Sequence, residues 1–332
     1  MKIIIDTLGS DLGYEEVVQG VIEASKETTS NYVLVGPKDK IQSKINKANL
    51  SDARFEYIDT GLYITNEDEP VKAIRKKKDS STVLGLNKLN EDGYDGFISA
   101  GSTGALLAGG LFITKRIGNV ERAVITAALP TRKGPTILVD TGAVMDSTSE
   151  MQQQFAIMGS IYANKVLNRP NPKVYLLNVG QEEGKGDIRA KKTYNLLKET
   201  KHLNFCGNIE ARDFISGLAD VIVADGFAGN VGLKSIEGVA SLLFKEIKDG
   251  AMTKLRYKLG AMLMKPVFKD IANMYDYKEV GAAMLLGIKK PVFKAHGSSN
   301  NVAIKNAIIN AEKIIKTNII DNIEEEFING WQ

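Results

Sequence analysis

The polar residues that could do chemistry in this chain gather in five short loops. They are Asp6-Thr7-Leu8-Gly9-Ser10-Asp11, Ser99-Ala100-Gly101-Ser102-Thr103-Gly104, Asp140-Thr141-Gly142-Ala143-Val144-Met145-Asp146, Asn178 through Gly186, and Asp225-Gly226-Phe227-Ala228-Gly229-Asn230. Each follows a β-branched run, and each is rich in small residues. Gly101, Ser102, Thr103 and Gly104 are the most readable. Small residues between a strand and a helix leave backbone N–H groups unpaired. The helix dipole adds positive charge there, and the two hydroxyls add donors, so the loop suits an anion. The same residues also suit a purely structural N-cap. Lys185 lies between Gly184 and Gly186, where backbone can approach a ligand closely, although a solvated loop lysine reads the same way. Asp225 and Asn230 bracket a helix start. His296, in Ala295-His296-Gly297-Ser298-Ser299, could donate to an anion or move a proton.

Several chemistries lack the residues they need. The Gly101 loop is neither a Walker loop nor a dinucleotide fingerprint, and Gly180–Gly186 has no Ser or Thr after its lysine. ATP and NAD are therefore disfavoured, and no cofactor is expected. Asp6, Asp140 and Asp146 could be caps or oxygen ligands, but no metal is assigned to them. The single cysteine, Cys206, excludes an intrachain disulfide and a thiolate cluster. With no basic neighbour it reads as a small buried hydrophobe.

Composition sets the frame. The chain has 332 residues, 43% apolar and 25% charged, as an ordinary globular protein does. A net charge of +3 does not argue for nucleic acid. No signal peptide or spanning helix is read, and the lack of a disulfide or thiolate cluster fits a reducing cytoplasm. The run Arg75-Lys76-Lys77-Lys78 reads as a solvated helix face or a dock for an acidic partner.

These loops need elements to hold them. Strands are expected at Lys2–Ile5, Tyr32–Val35, Gly96–Ile98, Val124–Ala127, Thr136–Val139, Val174–Leu177 and Asp220–Ala224. Helices are expected at Glu15–Lys26, Thr103–Lys115, Met151–Leu167, Ile188–Leu197 and Val231–Lys248. Such alternation predicts an α/β, three-layer sandwich with a mostly parallel sheet. Loops after parallel strands share one edge, so all five are expected there. One unit is read over 1–332, with 235–276 as an inserted helical hairpin joined near Asp249–Gly250. Its apolar patch is Leu259, Met262, Leu263, Met264, Val267 and Phe268, flanked by Lys254, Arg256, Lys258, Lys265 and Lys269. One last long helix is expected from Asn300 to Phe327.

Taken together these segments resemble the PlsX family of acyl-[acyl carrier protein]:phosphate acyltransferases, from Ile3 to about Ala311. The resemblance rests on Pro70-Val71 with Arg75 through Ser81, Ser99–Leu107, Leu129-Pro130 with Lys133-Gly134-Pro135, and Gln154–Gly159. It continues through Leu177–Gly186, Gly207–Glu210, Asp225–Val231 with Leu233-Lys234, and Ala295–Ser299. Three loops depart from the family pattern. Leu8 and Ser10 replace Met and Gly, Ser102 replaces Asn, and Val144 and Ser147 replace Asn and Cys. All three departures bear on the acyl substrate.

The resemblance implies a fold similar to isopropylmalate dehydrogenase and phosphotransacetylase, usually as a homodimer. It implies transfer of a fatty acyl group from acyl carrier protein to inorganic phosphate, giving acyl phosphate for phospholipid synthesis. It also supports a peripheral membrane contact through the hairpin; a dimer contact would bury the same residues. Joined to the reading of the loops, it has Gly101, Ser102, Thr103, Gly104 and Asn230 hold phosphate. Lys185 balances charge, His296 contacts phosphate or oxyanion, and Asp225 orients Lys185 or assists proton transfer. These last three roles are interchangeable at this stage. Three competitors stand beside this reading. One is a paralogue forming acetyl phosphate, like a glycine reductase subunit. The others are a dehydrogenase or decarboxylase on the same fold, and a nonenzymatic module binding carrier protein or membrane.

Overall fold

Runs of Ile, Val and Leu that cannot face water dictate where the strands lie. Ile3, Ile4 and Ile5 are all buried, as are Tyr32 through Val35. Continuous rather than alternating burial means helices cover both faces of the sheet. The computed structural model describes residues 1–274 and 282–329.

The chain opens with β1 (Lys2–Asp6), α1 (Tyr14–Glu27), β2 (Asn31–Gly36), α2 (Lys38–Lys47) and β3 (Phe55–Asp59). Short helices α3 (Pro70–Lys76) and α4 (Ser81–Leu89) precede β4 (Gly96–Ser99) and α5 (Thr103–Gly109). The last turns after α5 widen into a π-helix over Gly110–Thr114. Next come β5 (Val124–Leu129), β6 (Thr136–Val139), α6 (Ser149–Lys165), β7 (Val174–Leu177), α7 (Ile188–Glu199), β8 (Phe205–Ile209) and β9 (Val221–Val223). The helices α8 (Gly226–Ala251) and α9 (Leu255–Met274) are followed by β10 (Ala283–Leu286), β11 (Val292–Lys294), α10 (Asn301–Ile315) and α11 (Ile319–Asn329).

The described strands form one sheet in the order β3-β2-β1-β4-β11-β10-β5-β6-β9-β7-β8. Pairing is parallel except where β10 meets β11, β10 meets β5 and β5 meets β6. Three reversals turn β6, β9, β7 and β8 opposite to β1, β2, β3 and β4. The loops after β1 and β4 therefore leave one way, and those after β6, β7 and β9 leave the other. This corrects the expectation of a single edge.

The register shows how the loops still meet. Strand β5 pairs with β10 through Val124 and Ile125, and with β6 through Thr126–Leu129. The two halves of the sheet are thus staggered along β5. Thr126 donates its hydroxyl to the carbonyl of Met284, which pairs with Phe293. Val139, paired with Thr126, stands level with Phe293, one residue from the end of β11. Strand ends of opposite direction come to one level, and their loops face each other.

Two boundaries differ from expectation. Helix α8 starts at Gly226 and runs unbroken past Ser235, and the turn to α9 falls at 252–254. The expected hairpin extends to Asp276, which lies outside the described residues. The last helix is two, because Asn318 takes a positive φ of 52° and the chain restarts as α11.

Candidate active site

A cleft of about 870 Å³ lies where the two sets of loops meet. Its polar end is lined by Gly101, Thr103, Gly104, Thr141, Gly142, Asn230, Lys294 and His296. Its far wall comes from the helical pair and is mostly apolar: Leu233, Ile236, Ala240, Phe244 and Ile247 of α8, with Lys234 and Glu237 at its near end, and Phe268 and Ile271 of α9.

The Gly101 loop is held from beneath by Asp6. The buried Asp6 carboxylate accepts from Thr82 Oγ1 at 2.8 Å, Ser99 Oγ at 2.9 Å and the Leu8 amide at 3.1 Å. Ser99 Oγ in turn accepts the Gly101 amide at 3.0 Å. Burial pushes the Asp6 pKa up, and these hydrogen bonds oppose the shift. Asp6 therefore sits behind the loop as its support. Ser102 occupies the N-cap position of α5, but its side chain makes no capping bond. Ser102 is buried and stands outside the cleft lining, and its carbonyl accepts the Leu106 amide at 3.0 Å to begin the helix.

Asp140 plays a similar supporting part across the cleft. Its carboxylate accepts amides from Ile125, Gly142, Ala143 and Val144. Burial again drives its pKa upward against those bonds. The loop it shapes abuts the start of α8. Gly142 has φ +128°, and a Cβ there would lie 2.8 Å from Asn230 Nδ2. A Cβ on Gly229 would lie 1.9 Å from the carbonyl oxygen of Asp140. Only glycine permits this approach, which brings the half-buried Asn230 to the polar end of the cleft.

His296 lines the cleft, with Nδ1 sharing a hydrogen bond of 2.8 Å with Ser298 Oγ. Its loop is anchored to the one after β1, because Gly297 O accepts the Asp11 amide at 2.9 Å and Ser10 Oγ at 3.2 Å.

Other expected residues stand elsewhere. Asp225 caps α8 by accepting the Ala228 amide at 2.7 Å. Its second oxygen takes Arg189 Nη2, also at 2.7 Å. It therefore pairs with Arg189 and not Lys185, which leaves proton transfer as the other part expected of it. Arg189, unnoticed in the sequence, also reaches Asp146 Oδ1 at 3.4 Å and the Ser147 carbonyl. Asp146 is otherwise fully exposed. Lys185 is exposed on the loop after β7 and is not part of the cleft lining. That loop is pinned by Asn178 Nδ2, which donates to the Lys185 carbonyl and to Asn208 Oδ1, both at 3.1 Å. Among the described residues no group of three or more His, Cys, Asp or Glu could hold a metal ion. Cys206, expected to be buried, is exposed on β8.

Lys294 is the cleft residue that sequence reasoning passed over. It ends β11, and burial holds its pKa down to about 8 against the opposing pull of Asp11 and Asp6. The signal was its place between a strand and His296, two residues on.

Comparison with known proteins bears on what this cleft does. Residues 1–322 match the model of a family described as fatty acid synthesis protein. The chain is 46% identical over 327 residues to a phosphate acyltransferase of Caldicellulosiruptor saccharolyticus, covering 98% of each. It is 43% identical over 332 residues to one of Clostridioides difficile, covering all of this chain and 97% of that protein. In fold it is similar to the EutD phosphotransacetylase from Staphylococcus aureus, with a TM-score of 0.59. That likeness spans 95% of this chain and 94% of the other at 17% identity.

Proposed function

This chain belongs to the fatty acid synthesis protein family, the PlsX phosphate acyltransferases, and from that premise we propose how its cleft works. The enzyme moves a fatty acyl group from acyl carrier protein to inorganic phosphate. A phosphate oxygen attacks the thioester carbonyl, the C–O bond forms, the C–S bond breaks, and the phosphate proton ends on the departing thiol. Acyl phosphate and free carrier protein result.

One observation carries this reading: a polar end rich in backbone donors opens directly onto a long apolar wall. The polar end suits phosphate, held by the amides of Ser102, Thr103 and Gly104 beside Gly101, whose own amide is taken by Ser99 Oγ, and by the Ser102 and Thr103 hydroxyls and the Asn230 amide. His296 donates to the phosphate or to the oxyanion. Lys185 supplies charge from the loop after β7, while Asp225 and Arg189 fix the start of α8. Phosphate is already a nucleophile and a thioester is already activated. Positioning contributes roughly 7–11 kcal/mol and one oxyanion donor roughly 3–4 kcal/mol. No acyl-enzyme is needed, and Cys206 lies on β8, away from the cleft lining.

The apolar wall favours a long chain over acetyl. Leu233 to Ile247 spans ~21 Å of helix at ~1.5 Å per residue. Exposed Arg75, Lys76 and Lys78 at the end of α3 suit the acidic carrier protein. No described helix is long and apolar enough to cross a membrane. Leu259, Met262, Leu263, Met264 and Val267 are nevertheless exposed on α9 among basic residues, and this suits an interfacial contact with anionic lipid. Phe268 differs from them, since it faces the cleft. The working form is a cytoplasmic homodimer that releases acyl phosphate at the membrane surface.

The test is to incubate the protein with a long-chain acyl carrier protein thioester. Thiol release should require phosphate and match acyl phosphate formed, as followed by phosphorus NMR. Thiol release without phosphate, or turnover confined to acetyl thioesters, would overturn the assignment.

A further inference from the structure

Lys294 is used by none of the steps above. In the register of the sheet it stands beside Ser99 at the end of β4, which stands beside Asp6 at the end of β1. Its ammonium donates to the Ala100 carbonyl at 3.3 Å and to the Ala295 carbonyl. Those residues immediately precede Gly101 and His296. The amine is thus wedged between the two loops at the polar end, and its side chain lines the cleft. An ammonium has three N–H donors, and the carbonyls take two.

We propose that Lys294 is a further catalytic residue, whose third N–H meets a phosphate oxygen and whose charge balances the phosphate throughout the transfer. This rests on the cleft being the phosphate site. Backbone amides and a short helix supply only partial charge. The charged groups facing Lys294 from neighbouring segments are the carboxylates of Asp11 and Asp6. Asp11 itself lines the cleft. An anion brought there would meet repulsion from them. Lys185 balances charge from an exposed loop and Lys234 lines the cleft one turn beyond Asn230, whereas Lys294 is the cation fastened between the two loops themselves. His296, two residues along, and Lys234 and Glu237 of α8 also line the cleft. With its pKa lowered to about 8, Lys294 is charged at neutral pH. It keeps its proton as the C–O bond forms and the C–S bond breaks.

A lysine that merely ties two carbonyls would look similar, so the test must separate the roles. Equilibrium dialysis with radiolabelled phosphate is run first on the unaltered enzyme. If that enzyme binds no phosphate, the reading of the whole site falls. If it binds, Lys294→Met should weaken phosphate binding and raise the phosphate KM roughly 10- to 100-fold, the scale of one lost charged hydrogen bond. The KM for the acyl carrier protein substrate should stay the same. Lys294→Arg should restore most of the activity. In the unaltered enzyme kcat/KM for phosphate should fall as pH rises through about 8. In Lys294→Arg that fall should move to higher pH, because arginine does not titrate there; phosphate's own ionisation is common to both. Unchanged phosphate affinity in Lys294→Met, or equal losses on both substrates with a lowered Tm, would leave Lys294 as a structural tie and sink the proposal.

Discussion

The sharpest test of the cleft is a methyl group on Gly142. The new Cβ would lie 2.8 Å from Asn230 Nδ2, with Asn230 Cγ at 3.6 Å and Cβ at 3.8 Å. The first contact is with the far end of a side chain, so Asn230 should rotate away and the backbone should hold. Two effects follow, and they are separable. The positive φ of 128° at Gly142 is unfavourable for alanine, costing about 1–3 kcal/mol of stability. Displacing Asn230 removes one hydrogen bond to a charged ligand, about 1.5–3 kcal/mol, or roughly 10- to 100-fold in kcat/KM for phosphate.

A double-mutant cycle distinguishes them. Gly142→Ala and Asn230→Ala should each lose activity by a similar factor. The double variant should be no less active than Asn230→Ala alone, because the amide can be lost only once. Its Tm should still fall by the full amount seen for Gly142→Ala. Phosphate-dependent thiol release gives the activities and calorimetry gives Tm. Catalytic losses that multiply in the double variant would refute the reasoning, as would a fully active Gly142→Ala enzyme with a reduced Tm.

Three further outcomes are expected. Asp225→Asn keeps an equally good cap but breaks the pair with Arg189, so it should lose about 1 kcal/mol in denaturant unfolding. Asp225→Ala should lose about 1 kcal/mol more, and equal values for the two variants would mean the cap contributes nothing. Ala240→Phe narrows the apolar wall and should lower kcat/KM for long acyl chains at least ~10-fold while sparing short ones; a uniform loss would place the acyl chain elsewhere. Leu259→Glu with Leu263→Glu should leave activity and dimer size intact yet abolish sedimentation with anionic vesicles. Dissociation of this variant on sizing would show the patch to be a dimer contact.

Much of this was legible in the sequence, and the misses have physical causes. Buried parallel strands announce themselves by continuous β-branched runs, as at Ile3–Ile5 and Ile137–Val139. The loops that follow announce themselves by glycine. The net reversal of direction comes at the β5–β6 hairpin, since the two reversals at β10 cancel. The short connection 130–135 was its mark, too short for a parallel crossover; β10 and β11 themselves were hidden. Ala283-Met284-Leu285-Leu286 has the composition of a helix, and Val292-Phe293-Lys294 is too short to show a period. Their strand state comes from partners distant in the chain, which is where tertiary context overrides propensity. Lys294 stayed hidden for the same reason, since its importance lies in Ala100, nearly two hundred residues away. Asp225 was readable as a cap, but Arg189 belongs to another helix and leaves no mark in local spacing.

The placement of α8 ties these observations together. One unbroken helix of 26 residues begins at the Asp225 cap, presents Asn230 at the start of its second turn and then carries the apolar wall to Ile247. In the proposed function phosphate and acyl chain are therefore assigned to the same rod, whose start is clamped by Gly142, Asp140 and Arg189. Substitutions along the later turns can change the chain length accepted without disturbing the clamp. Substitutions in the clamp shift the whole rod and should be felt by both substrates. The departures from the family pattern at Val144 and Ser147 fall in the loop packed against this clamp. Val144 donates its amide to Asp140 and accepts the Gly226 amide through its carbonyl. Both contacts are made by backbone, which is why the side chain can vary there while the geometry at Asn230 is kept.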